Sequence, residues 1–306
     1  MLAGTLAKPS GLGAGPFPVV VIVAGTGPWK RGGWANIRAR LLASGLATLT
    51  YDKRGQGQST GAFIDTLPAM ERDVAASVAF LRSRPDVDRQ RIALLGTSQG
   101  AVAAPMVASR DPAVAAVVML SGPVGSRGEL FLGILRGHLK QAGKNPAQIE
   151  TVAGAVGAWM ASRSRSAGAA EIARHRTAAE GAFAVVGFPR PQAAAFIATL
   201  DDDVVLSMFE AAPDEALAKL RVPVLAIYGS EDDVIAPALS IEAAVAALSN
   251  NQDAMVIAVP GMNHVLSRAI PAATNDANPE DGTMPVVTDV VGDWLGKRLR
   301  TPSAKR

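Results

Sequence analysis

Cysteine is absent from the 306 residues. That absence removes disulfides, thiolate nucleophiles and cysteine-ligated zinc. It leaves the redox compartment open. Aromatic residues are scarce at 5%, and only 19% of residues are charged, against 49% hydrophobic. Such a composition builds a substantial core and gives no basis for disorder. Long apolar runs are missing as well. "FPVVVIVAG" is far too short to span a membrane and reads as a buried strand. No charged segment leads into an apolar run at the N-terminus, so no signal peptide is read and a cytoplasmic location is expected. The opening "MLAGTLAKPSG" reads as a strand from its start, consistent with a natural chain that carries something upstream. The formal net charge is only +3. Much of the excess sits in "GKRLRTPSAKR", Gly296 to Arg306, which reads as a solvated end rather than a nucleic-acid or membrane surface.

Strand and helix signals alternate through the first 122 residues. Strands are expected in "LAGTLAKP", Pro18 to Gly25, Leu46 to Asp52, Arg91 to Gly96 and Val114 to Gly122. Amphipathic or small-residue helices stand between most of them, such as "MERDVAASVAFLRSRP", closed by Pro85. The pattern lapses into mostly helical stretches from Pro123 to about Leu220. It resumes with strands at Val222 to Gly229 and Ala254 to Gly261, and a closing helix "VVTDVVGDWLGKRL". This order predicts an α/β fold with a mostly parallel sheet and helices on both faces. The core is expected over 1–122 and 221–306, with 123–220 a helical cap insertion. Phe131, Leu132, Leu135, Trp159, Met160, Phe183, Phe188, Phe196, Met208 and Phe209 are its bulky apolar residues. Most are expected to form its core and a few to face a substrate.

One serine stands on a tight corner. Gly96-Thr97-Ser98-Gln99-Gly100 fits G-x-S-x-G, a pattern that chance supplies roughly 0.2 times in a chain of this composition and length. Its weight comes from context, a buried strand before it and a helix after it. A sharp strand-to-helix turn projects the hydroxyl from the carboxyl end of a sheet, with the next backbone N–H pointing into the same space. The flanking glycines are needed because neighbouring elements crowd the corner.

A serine hydroxyl needs a base, and the base an orienting carboxylate. Histidine is rare, with three in the chain. His264, in "PGMNHVLS", follows the last expected strand. His138 and His175 lie in the helical insertion and read as surface or packing residues. "LAIYGSEDDVIAP" supplies the acid. Asp232 stands three residues after Gly229 and is preferred. Asp233, four residues before Pro237, is the runner-up. The order Ser98, Asp232, His264 is that of the nucleophile-elbow hydrolases.

The stretches "VVVIVAGTGP", "YDKRGQGQSTG", "RIALLGTSQG", "VPVLAIYGSEDD" and "PGMNH" together resemble the α/β-hydrolases across nearly the whole chain. The sequence is most similar to bacterial carboxylesterases and serine aminopeptidase-like hydrolases with a helical cap. The resemblance implies an oxyanion hole formed by the backbone N–H groups of Thr26 and Gln99. Gly27 would let the loop turn closely, and Pro28 has no N–H to give. The chain has Ala24-Gly25 where many relatives have His-Gly, and Thr97 where they have His. The implied reaction is hydrolysis of a carboxylic ester through an acyl-enzyme, with a small-molecule ester as partner and no cofactor. An amide or peptide hydrolase on the same fold is the alternative, since a triad does not distinguish the leaving group.

Other classes fit less well. Gly25-x-Gly27 after a strand, with Asp52 ending the next, is roughly the placement of a dinucleotide fold. Lys30 stands where the third glycine belongs, and Pro28 removes a phosphate-binding amide. A non-catalytic binding protein on a hydrolase fold usually lacks a triad member, and all three are present here. The acidic and histidine spacing points to no metal site. Asp52, Lys53 and Arg54 are expected to form an internally paired loop rather than a substrate-charge sensor.

Overall fold

The computed structural model describes residues 1–235, 237–268 and 284–299. Seven strands form one sheet: β1 (Gly4–Ala7), β2 (Phe17–Val23), β3 (Ala47–Tyr51), β4 (Val87–Thr97), β5 (Val114–Leu120), β6 (Val224–Gly229) and β7 (Ala254–Val259). Their order is β1-β3-β2-β4-β5-β6-β7. β1 runs antiparallel to β3, and every other pair is parallel. All seven residues of β2 are buried, the signature of a strand covered on both faces. The seven expected strands are all present. β4 begins earlier than the expected Arg91 because Val87 pairs with Phe17 beyond an irregularity in the ladder.

The helices flanking this sheet are α1 (Ala35–Ala43), α2 (Leu67–Arg82) and α3 (Gln99–Ala108), then after the insertion α9 (Pro213–Lys219), α10 (Pro237–Ala247) and α11 (Pro285–Leu299). Because side chains alternate along a strand, Val20, Ile22, Ala93, Leu95, Val118 and Ile227 share one core with Ile37 and Leu41 of α1 and Trp294 and Leu295 of α11. The helices α2 and α3 pack on each other and on β4. Arg40 of α1 donates to Asp289 at 2.7 Å and to Asp293 at 2.5 Å on α11, and bonding to Asp289 is the main reason its guanidinium pKa is raised.

The chain divides into two compact units, and residues Gly125–Ala212 form the second. This unit is helical: α4 (Glu129–Gln141), α5 (Pro146–Ser164), α6 (Ala169–Val185), α7 (Arg190–Thr199) and α8 (Asp203–Glu210). Asn145 caps α5 in a reciprocal box with Gln148, which satisfies two otherwise orphaned backbone donors. Leu135, Trp159, Met160 and Phe183 are buried in the core of this unit, and Phe131, Leu132, Phe188, Phe196 and Phe209 pack against it. Phe183 meets Phe188 and Phe196 edge-on, at centroid distances of 5.6 and 5.2 Å. The helical unit is shorter than the expected 123–220. Its boundary falls earlier because α9 packs on α3 and α10 of the sheet unit.

Candidate active site

Ser98 occupies the corner between β4 and α3 with φ 50° and ψ −122°. A non-glycine residue in that region is strained, and such strain persists only where the surroundings enforce it. The surroundings are visible in the glycines. A Cβ on Gly96 would come within 2.1 Å of Gly100 O, and one on Gly100 within 2.2 Å of Val23 O. One on Gly25 would meet Ser98 Cβ at 3.0 Å. The end of β2 and the start of α3 therefore press against each other around the serine. Ser98 N–H donates across to Leu120 O of β5 at 2.9 Å.

His264 Nε2 lies 3.0 Å from Ser98 Oγ, and His264 Nδ1 lies 2.8 Å from Asp232 Oδ2. The other Asp232 oxygen, Oδ1, accepts from the amides of Val234 and Ile235, each at 3.0 Å. The Asp232 side chain is wholly buried and that of His264 is 17% exposed. Asp233 is exposed. The two loops that carry acid and histidine are tied to one another. Glu231 N–H donates to Met262 O at 2.9 Å, and Gly261 N–H to Ser230 Oγ at 2.9 Å. A Cβ on Gly229 would come within 2.2 Å of Met262 O, so a glycine is required where these loops cross. Asn263 shapes the turn around the histidine by accepting at Oδ1 from Val265 N–H and Ser267 N–H. His138 is exposed on α4, and His175 pairs loosely with Glu171 on α6 at 3.7 Å.

Thr26 and Gln99 adjoin the serine from the two sides. Thr26 Oγ1 donates to Gln99 Oε1 at 3.2 Å. The Gly27 amide is already committed to Asp65 Oδ2 at 2.7 Å. Gly27 itself has φ 115°, a conformation that glycine adopts without steric cost. Trp29 folds back on this loop, its Nε1–H donating to Thr26 O at 2.8 Å and its N–H to Gly27 O at 2.9 Å.

A cavity of about 290 Å³ opens at the carboxyl ends of β2, β4 and β5. Its lining combines Thr26, Ser98 and His264 with an apolar wall of Trp29, Trp34, Leu120, Val234, Val265 and Leu266. Among the described residues no Asp, Glu, Lys or Arg lines it. Trp29 and Trp34 stand with ring centroids 5.7 Å apart. Trp34 holds φ 65°, again a conformation uncommon for a bulky side chain. Neither tryptophan was singled out from sequence. Lone aromatics in a glycine-rich loop carry no periodic signal, and φ is not readable there.

The charges of the loop "YDKRGQGQSTG" are paired, but mostly with residues outside the loop and not within it as expected. The Asp52 carboxylate accepts from the amides of Arg31 and Gln58, each at 2.8 Å. Burial works to raise its pKa, but these amides and the Arg31 charge outweigh it and hold the group below the usual carboxylate range. Arg54 pairs with Asp73, and Lys53 with Asp65. Among the described residues no group of three or more His, Asp or Glu could hold a metal ion. Among the same residues no helix is long and apolar enough to cross a membrane.

The family model of the alpha/beta hydrolases matches residues 20–277. The thiohydrolase apmlB of Arthrinium phaeospermum is 44% identical over 78 residues, 25% of this chain and 25% of that protein, so the match spans about a quarter of the relative's length. Two solved structures share the fold. Est1E from Butyrivibrio proteoclasticus with bound ferulic acid has a TM-score of 0.59 at 18% identity, covering 97% of this chain and 95% of its own. An esterase from Pyrococcus furiosus has a TM-score of 0.57 at 16% identity, covering 98% and 92%. With more than half of its length matched by the family model, this chain belongs to the alpha/beta hydrolase family.

Proposed function

We propose that this protein is a serine hydrolase that cleaves carboxylic esters through an acyl-enzyme. The observation that carries the reading is the hydrogen-bonded chain from Ser98 through His264 to Asp232. His264 Nε2 takes the Ser98 proton as Oγ attacks the ester carbonyl. Asp232 holds the imidazole with Nδ1 protonated and stabilises the cation that forms. The developing oxyanion is received by the backbone N–H groups of Thr26 and Gln99. His264 then protonates the departing alcohol, and a water molecule repeats the sequence to release the acid.

The cavity supports an uncharged acyl group of modest size. Its volume of about 290 Å³ is walled by the apolar Trp29, Trp34, Leu120 and Leu266. Among the described residues the lining carries no charge, which disfavours a carboxylate or ammonium on the substrate beside the reacting carbon. The stretch shared with a thiohydrolase makes a thioester the natural second substrate to assay.

A serine-directed phosphonate applied to the native protein should label Ser98. Ser98→Ala should lower turnover by about 10⁶-fold on a nitrophenyl ester. Activity that survives the substitution, with labelling elsewhere, overturns the assignment. Matched ester, thioester and anilide substrates then rank the leaving groups, and a faster anilide would replace the esterase reading with an amidase.

A further inference from the structure

Lys53 and Asp65 are each 6% exposed. They form an ion pair inside the sheet unit, and neither lines the cavity. Lys53 Nζ also donates to Gly25 O at 2.5 Å, and Asp65 Oδ2 accepts from Gly27 N–H at 2.7 Å. These contacts fall on the two peptide groups that flank the Thr26 α-carbon. The first peptide joins Gly25 O to Thr26 N–H, and because a trans peptide is planar its carbonyl and N–H point opposite ways. Fixing Gly25 O with an ammonium therefore aims the Thr26 N–H in the opposite direction. The second peptide is held at both ends, its carbonyl Thr26 O by Trp29 Nε1 and its Gly27 N–H by Asp65. The backbone carbonyl of Asp65 also accepts from Gln99 Nε2 at 2.9 Å, so the same residue holds the side chain of the residue whose backbone N–H is the second donor.

We propose that the buried Lys53–Asp65 pair is a positioning device for the oxyanion hole, orienting the Thr26 peptide through Gly25 O and Gly27 N–H. The inference rests on the ester-hydrolase reading above. A buried ion pair is a poor stability device, because an apolar pair of similar volume often serves the fold as well or better. Its geometric use is specific. It keeps the Thr26–Gly27 N–H occupied and leaves the Gly25–Thr26 N–H for the substrate oxygen. A cation on the carbonyl also polarises that peptide and strengthens its N–H as a donor.

The test replaces the pair with apolar residues, Lys53→Met with Asp65→Leu, so that no unpaired charge remains. Asp65→Asn, which keeps the shape but loses one acceptor, is the second variant should the first not fold. Circular dichroism and thermal melting establish folding. Steady-state kinetics on a nitrophenyl ester and inhibition by a trifluoromethyl ketone provide the readout. Positioning predicts a fall in kcat of about 10²-fold, with KM within about threefold and ketone affinity falling in step with kcat/KM. A folded variant with kcat near wild type, or with only KM raised, overturns the inference while Ser98 labelling in the native protein leaves the hydrolase reading intact. Failure of that labelling removes the hydrolase reading and the inference together.

Discussion

Asp232 meets His264 through one carboxylate oxygen, Oδ2 to Nδ1 at 2.8 Å, while its other oxygen is capped by the amides of Val234 and Ile235. Both oxygens are thus engaged, and the carboxylate has little freedom to rotate away from the imidazole. Asp233, the next residue, is exposed.

This contrast separates two adjacent carboxylates. Asp232→Asn should keep the loop shape but favour the wrong imidazole tautomer, lowering turnover by about 10⁴-fold. Asp233→Asn should cost about tenfold or less, since a solvated carboxylate is screened from a distant imidazole. Turnover of both variants on one simple ester, with circular dichroism to confirm folding, separates them. Loss confined to Asp233→Asn would move the orienting acid to that residue.

The three histidines should differ as sharply. His264→Ala should remove nearly all turnover, by about 10⁶-fold as for other members of such a unit. His138→Ala and His175→Ala change an exposed residue of α4 and one that pairs with Glu171 on α6, and both should retain most activity. A folded His138 or His175 variant as inactive as His264→Ala would reassign the base.

Gly100→Ala should damage stability and turnover together. The added Cβ would sit 2.2 Å from Val23 O and 2.6 Å from Ala24 O. Both neighbours are backbone, so α3 must shift from the end of β2. Overpacking of this kind costs about 1–3 kcal/mol, readable as a lowered urea midpoint. The same shift separates Gln99 from Thr26. A variant with a native midpoint and native kcat would show the corner to be looser than its glycines imply.

Asp52 should contribute an acid-sensitive part of the stability. Its pKa lies below the ordinary 3.8 in the folded protein. The unfolded chain therefore takes up the proton first as pH falls, and the contribution is complete above the unfolded value and lost through the folded one. Urea midpoints of the native protein and Asp52→Asn should differ at pH 7 and converge as pH drops below 3.8. A difference that stays constant across that range would mean that the loop bonds, not the charge, are what Asp52 supplies.

Much of this was legible in the residues themselves. The apolar, β-branched run at Pro18 to Gly25 and the glycines around Ser98 encode a buried strand and a tight corner, because those are local steric demands. The order Ser98, Asp232, His264 follows from which loops leave the carboxyl ends of successive strands. The end of the helical insertion was less legible, since α9 has the same helical pattern as its neighbours and only its packing on α3 and α10 assigns it to the sheet unit. Spacing alone favours Asp232 over Asp233 in the sequence, whereas only the tertiary structure brings the Asp232 carboxylate to His264 and the amides of Val234 and Ile235 and leaves Asp233 exposed. Asp65 carried no signal in "GAFIDTLPAM". It matters because β3 lies beside β2 in the sheet, which brings the loops leaving the two strands together. Local sterics specify strands, corners and their order along the chain. Which buried charge meets which peptide depends on strand adjacency, and that is settled only when the whole sheet closes its core.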